Sequence, residues 1–292
     1  MNSNTLHDSR VSRIIEQALF EDIGLGDVTS DAAVPEEMLG EAVLLAKATG
    51  IVAGLEVTAI VFRYVDEGLR MLSSVHDGDH VRPGDLIGTV NGSAKSILKG
   101  ERVALNFLQR MSGIATLTRQ FVDAVKGTGV RITDTRKTVP GLRVLDKLAV
   151  TIGGGVNHRF GLDDMMMVKD NHIVAAGGIQ PAIERCFAYL QKKELNIPIE
   201  VETRSMDDVR KAMACFEAGK FFNRIMLDNF QPDAMREAVK LIAKRVEVEA
   251  SGEMTLQNVH TVAKTGVDLI SVGALTHSVQ ALDISLELTL RR

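Results

Sequence analysis

The first third of the chain combines helical patterns with short strand patterns. An early helix is predicted where apolar residues recur at intervals of three or four positions. Farther along, Gly, Pro, Asp and Asn form dense turn signals between short apolar runs, which indicates strands joined by tight turns. The predicted elements are a helix within residues 11–19, a strand at 41–48, a helix at 56–65, a strand at 71–75 and a helix at 100–119. These patterns predict an α+β domain of roughly 110 residues.

From residue 130 onward, apolar runs alternate with helical patterns. The apolar runs fall at 130–133, 165–168, 197–201, 225–227, 246–248 and 269–272. The helical patterns fall at 179–191, 206–218, 232–245 and 256–265. Strands that alternate with helices indicate parallel βαβ units, and runs apolar at every position are typical of strands buried on both faces. This part of the chain is therefore predicted to be an α/β domain.

A polar residue or a glycine stands at the carboxyl end of each predicted strand. The strands run into Asp134-Thr135-Arg136-Lys137, Lys169-Asp170-Asn171-His172, Glu202-Thr203-Arg204, Asp228-Asn229, Ser251-Gly252 and Gly273. In an α/β barrel these ends converge on one face, where barrel active sites are built, whereas an open doubly wound sheet uses mainly the ends beside one switch point. The succession of polar ends favours the barrel, although only six or seven strands fit after residue 110.

Composition removes several classes of function. The 292 residues include 34 Lys and Arg against 38 Asp and Glu, a net charge of −4, which gives no electrostatic case for a nucleic-acid or membrane-surface protein. Aromatic residues make up only 4% and Trp is absent, which disfavours binding by base or sugar stacking. The 45% hydrophobic content excludes a disordered or collagen-like chain.

The compartment is predicted from the cysteines and the apolar runs. Cys186 and Cys215 fall in predicted amphipathic helices without metal-type spacing, so both are expected to be buried free thiols. Residues 1–13 are polar and lack the apolar core of a secretory signal, and no apolar run approaches the roughly 18 residues of a transmembrane helix. We expect a cytoplasmic protein.

The strand ends and nearby loops supply a group of cations. Its members are Arg136, Lys137, His158, Arg159 and Lys169, with Arg143 and Lys147 nearby in sequence. Arg grips planar carboxylates and phosphates through paired N–H donors, and Lys acts as a point charge, so several in one cavity predict a multiply charged anionic substrate. Singly, each is as well explained as a solvated loop charge. Lys169 is also a Schiff-base candidate, although its neighbours favour charge pairing. His172 and His277 fit a helix-capping or hydrogen-bonding role as well as a catalytic one.

Later strands supply acids and phosphate-binding backbone. Glu202 and Asp228 can bind sugar hydroxyls, hold Mg²⁺ attached to a phosphate, or stabilise a positively charged transition state. Ser251-Gly252 and Gly273, predicted near helix starts, offer N–H groups to a phosphate, although Ser-Gly is most often an ordinary cap. Together these residues predict a polyanionic substrate, a phosphorylated sugar and a divalent ion.

Longer motifs run in order through the chain. They are Glu21-Asp-Ile-Gly24, Gly26-Asp-Val-Thr29, Gly100-Glu-Arg-Val-Ala-Leu-Asn106, Asp134-Thr-Arg-Lys-Thr-Val-Pro-Gly-Leu-Arg143, Gly153-Gly-Gly-Val-Asn-His-Arg159, Val168-Lys-Asp-Asn-His172, Leu227-Asp-Asn-Phe230 and Glu249-Ala-Ser-Gly252. Over residues 11–288 this set resembles the quinolinate phosphoribosyltransferase family, also called nicotinate-nucleotide pyrophosphorylase (carboxylating). Each motif alone is a weak signal, whereas their common order is specific.

The resemblance implies an enzyme, a decarboxylating phosphoribosyltransferase of the pentosyl class. The reaction joins quinolinate to 5-phosphoribosyl-1-pyrophosphate with Mg²⁺ and gives nicotinate mononucleotide, pyrophosphate and CO₂ in de novo NAD biosynthesis. The implied fold is α/β, with an N-terminal α+β open-faced sandwich followed by an incomplete, six- to seven-stranded parallel α/β barrel. The implied domains are 1–112, joined by 276–292, and the catalytic barrel 113–275. The implied assembly is a homodimer or a higher homo-oligomer.

The resemblance also implies roles for particular residues. Lys137, Lys169, Glu202 and Asp228 match catalytic positions, and Glu202 and Asp228 also match those that face the ribose and Mg²⁺. Arg102 matches an arginine that a neighbouring subunit contributes to the site. The implied substrate-binding residues are Arg102, Thr135, Arg136, Lys137, His158, Arg159, Lys169, Glu202, Asp228, Ser251, Gly252, Ser271, Val272 and Gly273.

The chain departs from the family pattern in places. Glu253 stands where the family usually repeats a glycine, and an acid beside a phosphate loop would repel the ligand unless its side chain points away. Val139 replaces a common Thr, and residues 216–224 form a longer stretch than expected. Two other hypotheses stay open, a paralogue associated with molybdenum transport and a non-catalytic ligand-binding barrel.

Overall fold

The computed structural model describes residues 8–291. The prediction that residues 1–13 do not form a secretory signal therefore falls mostly on residues 1–7, which lie outside the described residues. In chain order the elements are α1 (Ser9–Ile23), α2 (Val28–Ala33), β1 (Leu39–Ala46), β2 (Gly50–Ile51), α3 (Leu55–Val65), β3 (Arg70–Ser73), β4 (His80–Val81), β5 (Leu86–Ser93), α4 (Ala94–Ala124), β6 (Arg131–Thr133), α5 (Arg143–Ile152), β7 (Met166–Val168), α6 (Asp170–Ala176), α7 (Ile179–Lys193), β8 (Ile199–Thr203), α8 (Met206–Glu217), β9 (Arg224–Asp228), α9 (Pro232–Ile242), β10 (Glu247–Ser251), α10 (Val259–Ala263), β11 (Leu269–Ser271), α11 (Ala274–His277) and β12 (Ile284–Arg291). Within residues 8–291, no helix has both the length and the apolar character that crossing a membrane requires.

The described residues divide into two compact units. The first contains the described residues before Gln120, together with Thr138–Gly154 and the described residues from Leu275 onward, and the second contains Gln120–Lys137 and Gly155–Ala274. The sequence prediction placed residues 138–154 in the barrel. The structure groups them with the first unit because α5 packs on α4, where the Arg110 guanidinium holds the Asp146 carboxylate at 2.9 and 2.8 Å.

The first unit contains an antiparallel sheet in the order β12-β1-β5-β3. In β1, alternate residues are buried, so one face of the sheet packs into the core while the other stays more accessible. The C-terminal strand β12 pairs with β1 along its whole length, from Leu39 opposite Arg291 to Ala46 opposite Ile284. Helix α1 buries Val11, Ile15 and Leu19 at the four-residue spacing that predicted it.

The second unit contains a six-stranded parallel sheet in the order β6-β11-β10-β9-β8-β7. The first strand pairs with the last, as in a closing barrel, and the order is otherwise sequential. Among the described residues, the ladder is open between β6 and β7, and a single bridge between Thr133 and Val156 lies beside that gap. The predicted α/β class with an incomplete parallel barrel is therefore confirmed.

Helices α2, α5 and α6 were not predicted, for different reasons. Helix α2 buries only Ser30 and α6 buries no residue. On α5 the buried face includes Asp146 and Lys147, which interrupt its apolar pattern. The helix predicted at 256–265 is shorter, Val259–Ala263, because Asn258 accepts a hydrogen bond from the Thr255 backbone and holds the preceding residues in a turn.

The packing of α4 in the first unit gives a stability prediction. A Cβ at Gly113 would fall well inside contact distance of the Gln280 carbonyl oxygen, which belongs to backbone, whereas a Cβ at Gly100 would meet the Phe62 ring at 3.1 Å. We expect Gly113→Ala to lower the free energy of unfolding by about 1–3 kcal/mol, since backbone must shift. Gly100→Ala, with the same gain in helix propensity, should cost less. Urea denaturation of both variants measures this, and equal losses would contradict the close approach.

Candidate active site

A cavity of about 280 Å³ lies at the carboxyl ends of the second unit's strands. The residues that were predicted for a site and that line this cavity are Thr135, Arg136, Lys137, His158, Arg159, Lys169, Glu202, Asp228, Ser251 and Ser271. Five further lining residues were not predicted, namely Met167, Asp170, Arg204, Met226 and Glu249. The convergence of strand ends inferred from the sequence is therefore observed.

Several predicted residues do not line this cavity. Arg102 lies on α4 in the first unit with an exposed side chain, and Arg143 and Lys147 lie on α5 in the same unit. Gly252 and Gly273 follow β10 and β11 closely, and Val272 is buried beside them, but the cavity in the described part of the chain is lined by Ser251 and Ser271 at these strands.

The loop after β6 carries the first cations. The Thr135 hydroxyl accepts a hydrogen bond from the Lys137 backbone N–H at 3.0 Å, which bends the chain just beyond the strand. The buried Asp134 carboxylate accepts the His158 backbone N–H at 2.9 Å. That bond ties the end of β6 to the segment beyond the triple glycine, so that Arg136 and Arg159 line the same cavity.

Arg159 is held rigidly within this cation group. Its side chain is largely buried, and its Nη1 donates to the Met165 carbonyl oxygen at 3.1 Å. Burial and the neighbouring charge of Arg136 lower the pKa of Arg159 from its usual range, yet a guanidinium remains charged at neutral pH. Two guanidinium groups that repel one another in a confined space form a ready binding site for a planar carboxylate.

Lys169 stands at the start of α6. The His172 Nδ1 accepts a hydrogen bond from the Lys169 backbone N–H at 3.0 Å, which caps the helix. His277 instead shares a hydrogen bond of 2.6 Å with the Ser278 hydroxyl. Of the two roles considered for these histidines, the structure therefore shows capping for His172 and local hydrogen bonding for His277.

Three carboxylates meet opposite the cations, at the ends of adjacent strands. Asp170 follows β7, Glu202 lies near the end of β8 and Asp228 ends β9. Burial and the nearby Asp228 charge raise the pKa of Glu202, while Lys169 and Arg204 oppose that rise. The Asn229 amide donates to Asp228 Oδ2 at 3.1 Å and orients that carboxylate. The Glu202 and Asp228 carboxylates at the cavity offer oxygen donors, which Mg²⁺ prefers to nitrogen or sulfur.

Of the two predicted phosphate loops, the one at Gly273 runs directly into helix α11, as expected, whereas the one at Ser251-Gly252 differs from the expectation. Gly252 was placed near a helix start, but α10 begins only at Val259, so no helix N-terminus follows Ser251-Gly252 directly. Gly252 adopts φ +105°, and a Cβ there would collide with the Asn229 side-chain oxygen. The glycine is therefore required for close packing against Asn229, whatever ligand the loop holds. Glu253 beside it is exposed.

A buried ionic cluster lies beneath the cavity, inside the barrel. The His158 Nε2 lies 2.9 Å from Glu200 Oε2 and 3.3 Å from Glu249 Oε2, and both glutamates are fully buried. Arg224 approaches both glutamates as well, with Nη1 3.0 Å from Glu249 Oε2 and 4.0 Å from Glu200 Oε1, and its Nη2 lies 3.0 Å from Glu247 Oε2. A single imidazole and a single guanidinium therefore compensate two carboxylates that water cannot reach.

The charges in this cluster shift one another's pKa values. Burial and the Glu249 charge raise the pKa of Glu200 to about 7. Burial opposes protonation of His158, but hydrogen bonds and charge from the two glutamates outweigh it and raise the pKa of the ring to about 9. The Arg159 backbone N–H donates to His158 Nδ1 at 2.8 Å. This bond requires an Nδ1 without a proton, so charging the ring would break it. The bond therefore opposes the rise in the pKa of His158 and leaves the proton on Nε2, which faces the glutamates.

No functional role was predicted for Glu200, or for Glu249 as the first residue of the motif Glu249-Ala-Ser-Gly252. The signal that could have found them is the alternation along two strands. Glu200 and Glu202 are two positions apart on β8, and Glu249 and Ser251 are two positions apart on β10, so each pair shares one face of its strand. A cavity-lining residue thus marks the residue two places earlier as interior to the barrel.

Comparison with known proteins agrees with this geometry. A family model described as "Quinolinate phosphoribosyl transferase, C-terminal domain" matches residues 114–287, and the corresponding N-terminal domain model matches residues 27–112. The chain is 50% identical over 286 residues to "Quinolinate phosphoribosyltransferase [decarboxylating] 1b" of Nicotiana tabacum, covering 94% of this chain and 81% of that protein. It is 43% identical over 281 residues to "Probable nicotinate-nucleotide pyrophosphorylase [carboxylating]" of Bacillus subtilis (strain 168), covering 96% and 94%. Among solved structures, NadC from Streptococcus pyogenes superposes with a TM-score of 0.90 at 38% identity and 97% coverage of both chains.

The buried cluster gives a second stability prediction. Arg224→Met would leave Glu249 without its guanidinium, and breaking a buried pair costs about 3–5 kcal/mol. Arg131→Met would break an ion pair of 2.5 Å with Glu247 in which both side chains are about half exposed, so we expect a loss below about 1 kcal/mol. Urea denaturation at pH 7.5 measures both losses.

The loss from Arg224→Met should also shrink as the pH falls. Without the guanidinium, the folded-state pKa values of Glu249 and Glu200 are higher than in the wild type, so the destabilisation is complete at high pH and is relieved as a carboxyl takes up a proton. Repeating the denaturation at pH 5 tests this. A loss that stays constant with pH, or equals that of Arg131→Met, would show that the cluster is not compensated as described.

Proposed function

The chain belongs to the quinolinate phosphoribosyltransferase family, and from that membership we infer that it joins quinolinate to 5-phosphoribosyl-1-pyrophosphate with loss of CO₂. The products are nicotinate mononucleotide, pyrophosphate and CO₂, and the reaction is a step of de novo NAD biosynthesis. The observation that carries this function is that one cavity is lined both by cations and by carboxylates. The cationic wall consists of Arg136, Lys137, Arg159 and Lys169, and the acidic wall of Asp170, Glu202 and Asp228. A pyridine dicarboxylate and a developing ribosyl cation need opposite charges within a few ångströms of each other.

Quinolinate is a dianion, and the cationic wall accounts for its binding. Arg136 and Arg159 are suited to paired hydrogen bonds with its carboxylates, and Lys137 and Lys169 add point charges at the rim. The His158 backbone is fixed by Asp134 and its ring by the buried glutamates, so it adds a rigid polar group to the same cavity. Held in this way, the pyridine nitrogen is oriented toward the anomeric carbon of the ribose.

The acidic wall accounts for bond cleavage. Breaking the bond between ribose and pyrophosphate builds oxocarbenium character, and Glu202 and Asp228 offset that positive charge. The same two carboxylates would hold Mg²⁺, with Asp170 beside them as a third oxygen donor. When bound, the metal neutralises the charge of the pyrophosphate leaving group.

Two further steps have candidate residues. Loss of the 2-carboxylate leaves electron density on the ring carbon. Lys137 and Lys169 both belong to the cationic wall that binds the carboxylates, and either could stabilise that electron density. Backbone N–H groups at the ends of β10 and β11 are proposed to hold the 5-phosphate, from the residues Ser251, Gly252, Ser271, Val272 and Gly273.

The proposal includes a homodimer in which a partner's Arg102 completes the site. One support is that the side chain of Arg102 on α4 is exposed rather than buried in its own unit. The other is the family resemblance at residues 100–106. A cytoplasmic location is also proposed. The two cysteines lie on different helices as free thiols, as a reducing compartment would leave them.

The function is tested by direct assay. The chain should convert quinolinate, phosphoribosyl pyrophosphate and Mg²⁺ into equimolar CO₂ and nicotinate mononucleotide. Nicotinate in place of quinolinate should give little product, because it lacks the second carboxylate that the cationic wall binds. Release of ¹⁴CO₂ and chromatography of the nucleotide measure the two products. No product at micromolar enzyme, or faster turnover of nicotinate, would refute the assignment.

The shared site is tested by mixing two inactive variants. Arg159→Ala removes a preorganised donor and should lower kcat by about 10²–10³-fold, and Arg102→Ala should be similarly impaired. In a hybrid dimer, one of the two sites regains both arginines. Random reassociation of equal amounts should therefore restore about a quarter of wild-type activity, because half the dimers are hybrids with one intact site each. Activity that stays at the level of the separate variants would exclude a site shared between subunits.

A further inference from the structure

Arg204 places a guanidinium among the three carboxylates of the acidic wall. Its Nη2 lies 2.8 Å from Asp170 Oδ2 and 3.5 Å from Glu202 Oε1, and its Nε lies 3.4 Å from Asp228 Oδ2. The three acids come from the ends of the adjacent strands β7, β8 and β9. One arginine therefore contacts every carboxylate that the proposed function assigns to the divalent cation.

The backbone of Arg204 is fixed, whereas its side chain is accessible. The Arg204 N–H donates to Asp208 Oδ2 at 3.1 Å, and the Ser205 hydroxyl caps α8 by accepting the Asp208 N–H at 3.1 Å. The side chain is 56% exposed, in contrast to 8% for Glu202 and 16% for Asp228. A rigid anchor with a solvent-exposed guanidinium allows the group to leave the acids by side-chain rotation alone.

The acids need such a partner when no other cation is bound. The Asp170, Glu202 and Asp228 carboxylates all lie within 3.5 Å of the Arg204 guanidinium, so they are close enough to repel one another. Lys169 follows β7 directly and lines the same cavity. Of the cations Lys169 and Arg204, only Arg204 lies within 3.5 Å of all three carboxylates in the described part of the chain.

We propose that Arg204 is an internal counter-ion that occupies the divalent-cation position between Glu202 and Asp228 and yields it when the cation binds. The inference rests on the proposed function for the identity of that cation. A divalent ion and a guanidinium repel each other and require the same carboxylate oxygens, so the two are mutually exclusive at this position. Arg204 holds the acids together in the free enzyme, and its presence weakens binding of the cation there.

The test is direct binding of Mn²⁺, a spin-active probe for the Mg²⁺ position, to the enzyme without substrates. Electron paramagnetic resonance of the unbound Mn²⁺ gives the Kd at constant ionic strength. Arg204→Gln removes the competitor and should lower the Kd for Mn²⁺ by about fivefold or more, as expected for loss of one charge at contact distance from the site. An unchanged or raised Kd, or no detectable binding by the variant, would overturn the proposal.

Arg210→Gln is the matched control. Arg210 has the same exposed fraction of 56% and also pairs with a carboxylate, Glu237 at 3.2 Å, but it belongs to α8 and does not line the cavity. Its Kd for Mn²⁺ should equal that of the wild type. If both variants tighten binding equally, net charge explains the effect and the counter-ion role is refuted.

The measurement is independent of turnover. Failure of the wild type to form nicotinate mononucleotide would refute the proposed function, whereas the Mn²⁺ titrations decide the role of Arg204 whatever the reaction is. Thermal unfolding of Arg204→Gln should remain close to that of the wild type, since an exposed ion pair contributes little to stability. A change in Kd is then a property of the site rather than of a damaged fold.

Discussion

The second unit depends on keeping charge inside a barrel. Barrel interiors are usually filled by layers of branched aliphatic side chains, yet here Glu200 and Glu249 lie fully buried between the strands. Two such carboxylates are tolerated only if other groups compensate them, and here Arg224 supplies a positive charge while His158 Nε2 faces both carboxylates as a hydrogen-bond donor. The strand register, the position of the segment beyond the triple glycine and the loop after β6 all have to satisfy this compensation.

That constraint also sets the form of the cavity above the cluster. His158 is held by the buried glutamates through Nε2, by the Arg159 N–H through Nδ1 and by Asp134 through its own backbone. Because Arg159 follows directly in the chain, fixing the histidine fixes the position of a guanidinium at the cavity wall. The cationic wall is thus an extension of the interior charge cluster. The acidic wall, by contrast, rests on strand ends and is compensated by the accessible Arg204.

Much of this arrangement was accessible from local patterns. Alternating apolar runs and helices predicted the parallel barrel, and the polar strand ends predicted which residues would meet at one face. The prediction failed where the local signal was weak or ambiguous. Helix α6 buries no residue, α5 carries charges on its buried face, and Ser251-Gly252 imitates a helix cap although its glycine instead serves close packing against Asn229. Asp170, Arg204 and Glu249 belong to the polar strand ends or the family motifs, but no role was predicted for them.

The sequence by itself determined the fold class and ten of the fifteen residues that line the cavity, because periodicity and strand-end chemistry are properties of short segments. Only the tertiary structure decided which charges pair. Arg204 contacts Asp170 and Asp228 from different strands, and Arg224 on β9 pairs with Glu247 and Glu249 on the adjacent strand β10. Such pairing depends on strand order, register and side-chain reach together, since electrostatic energy depends on distances in space that spacing along the chain does not give.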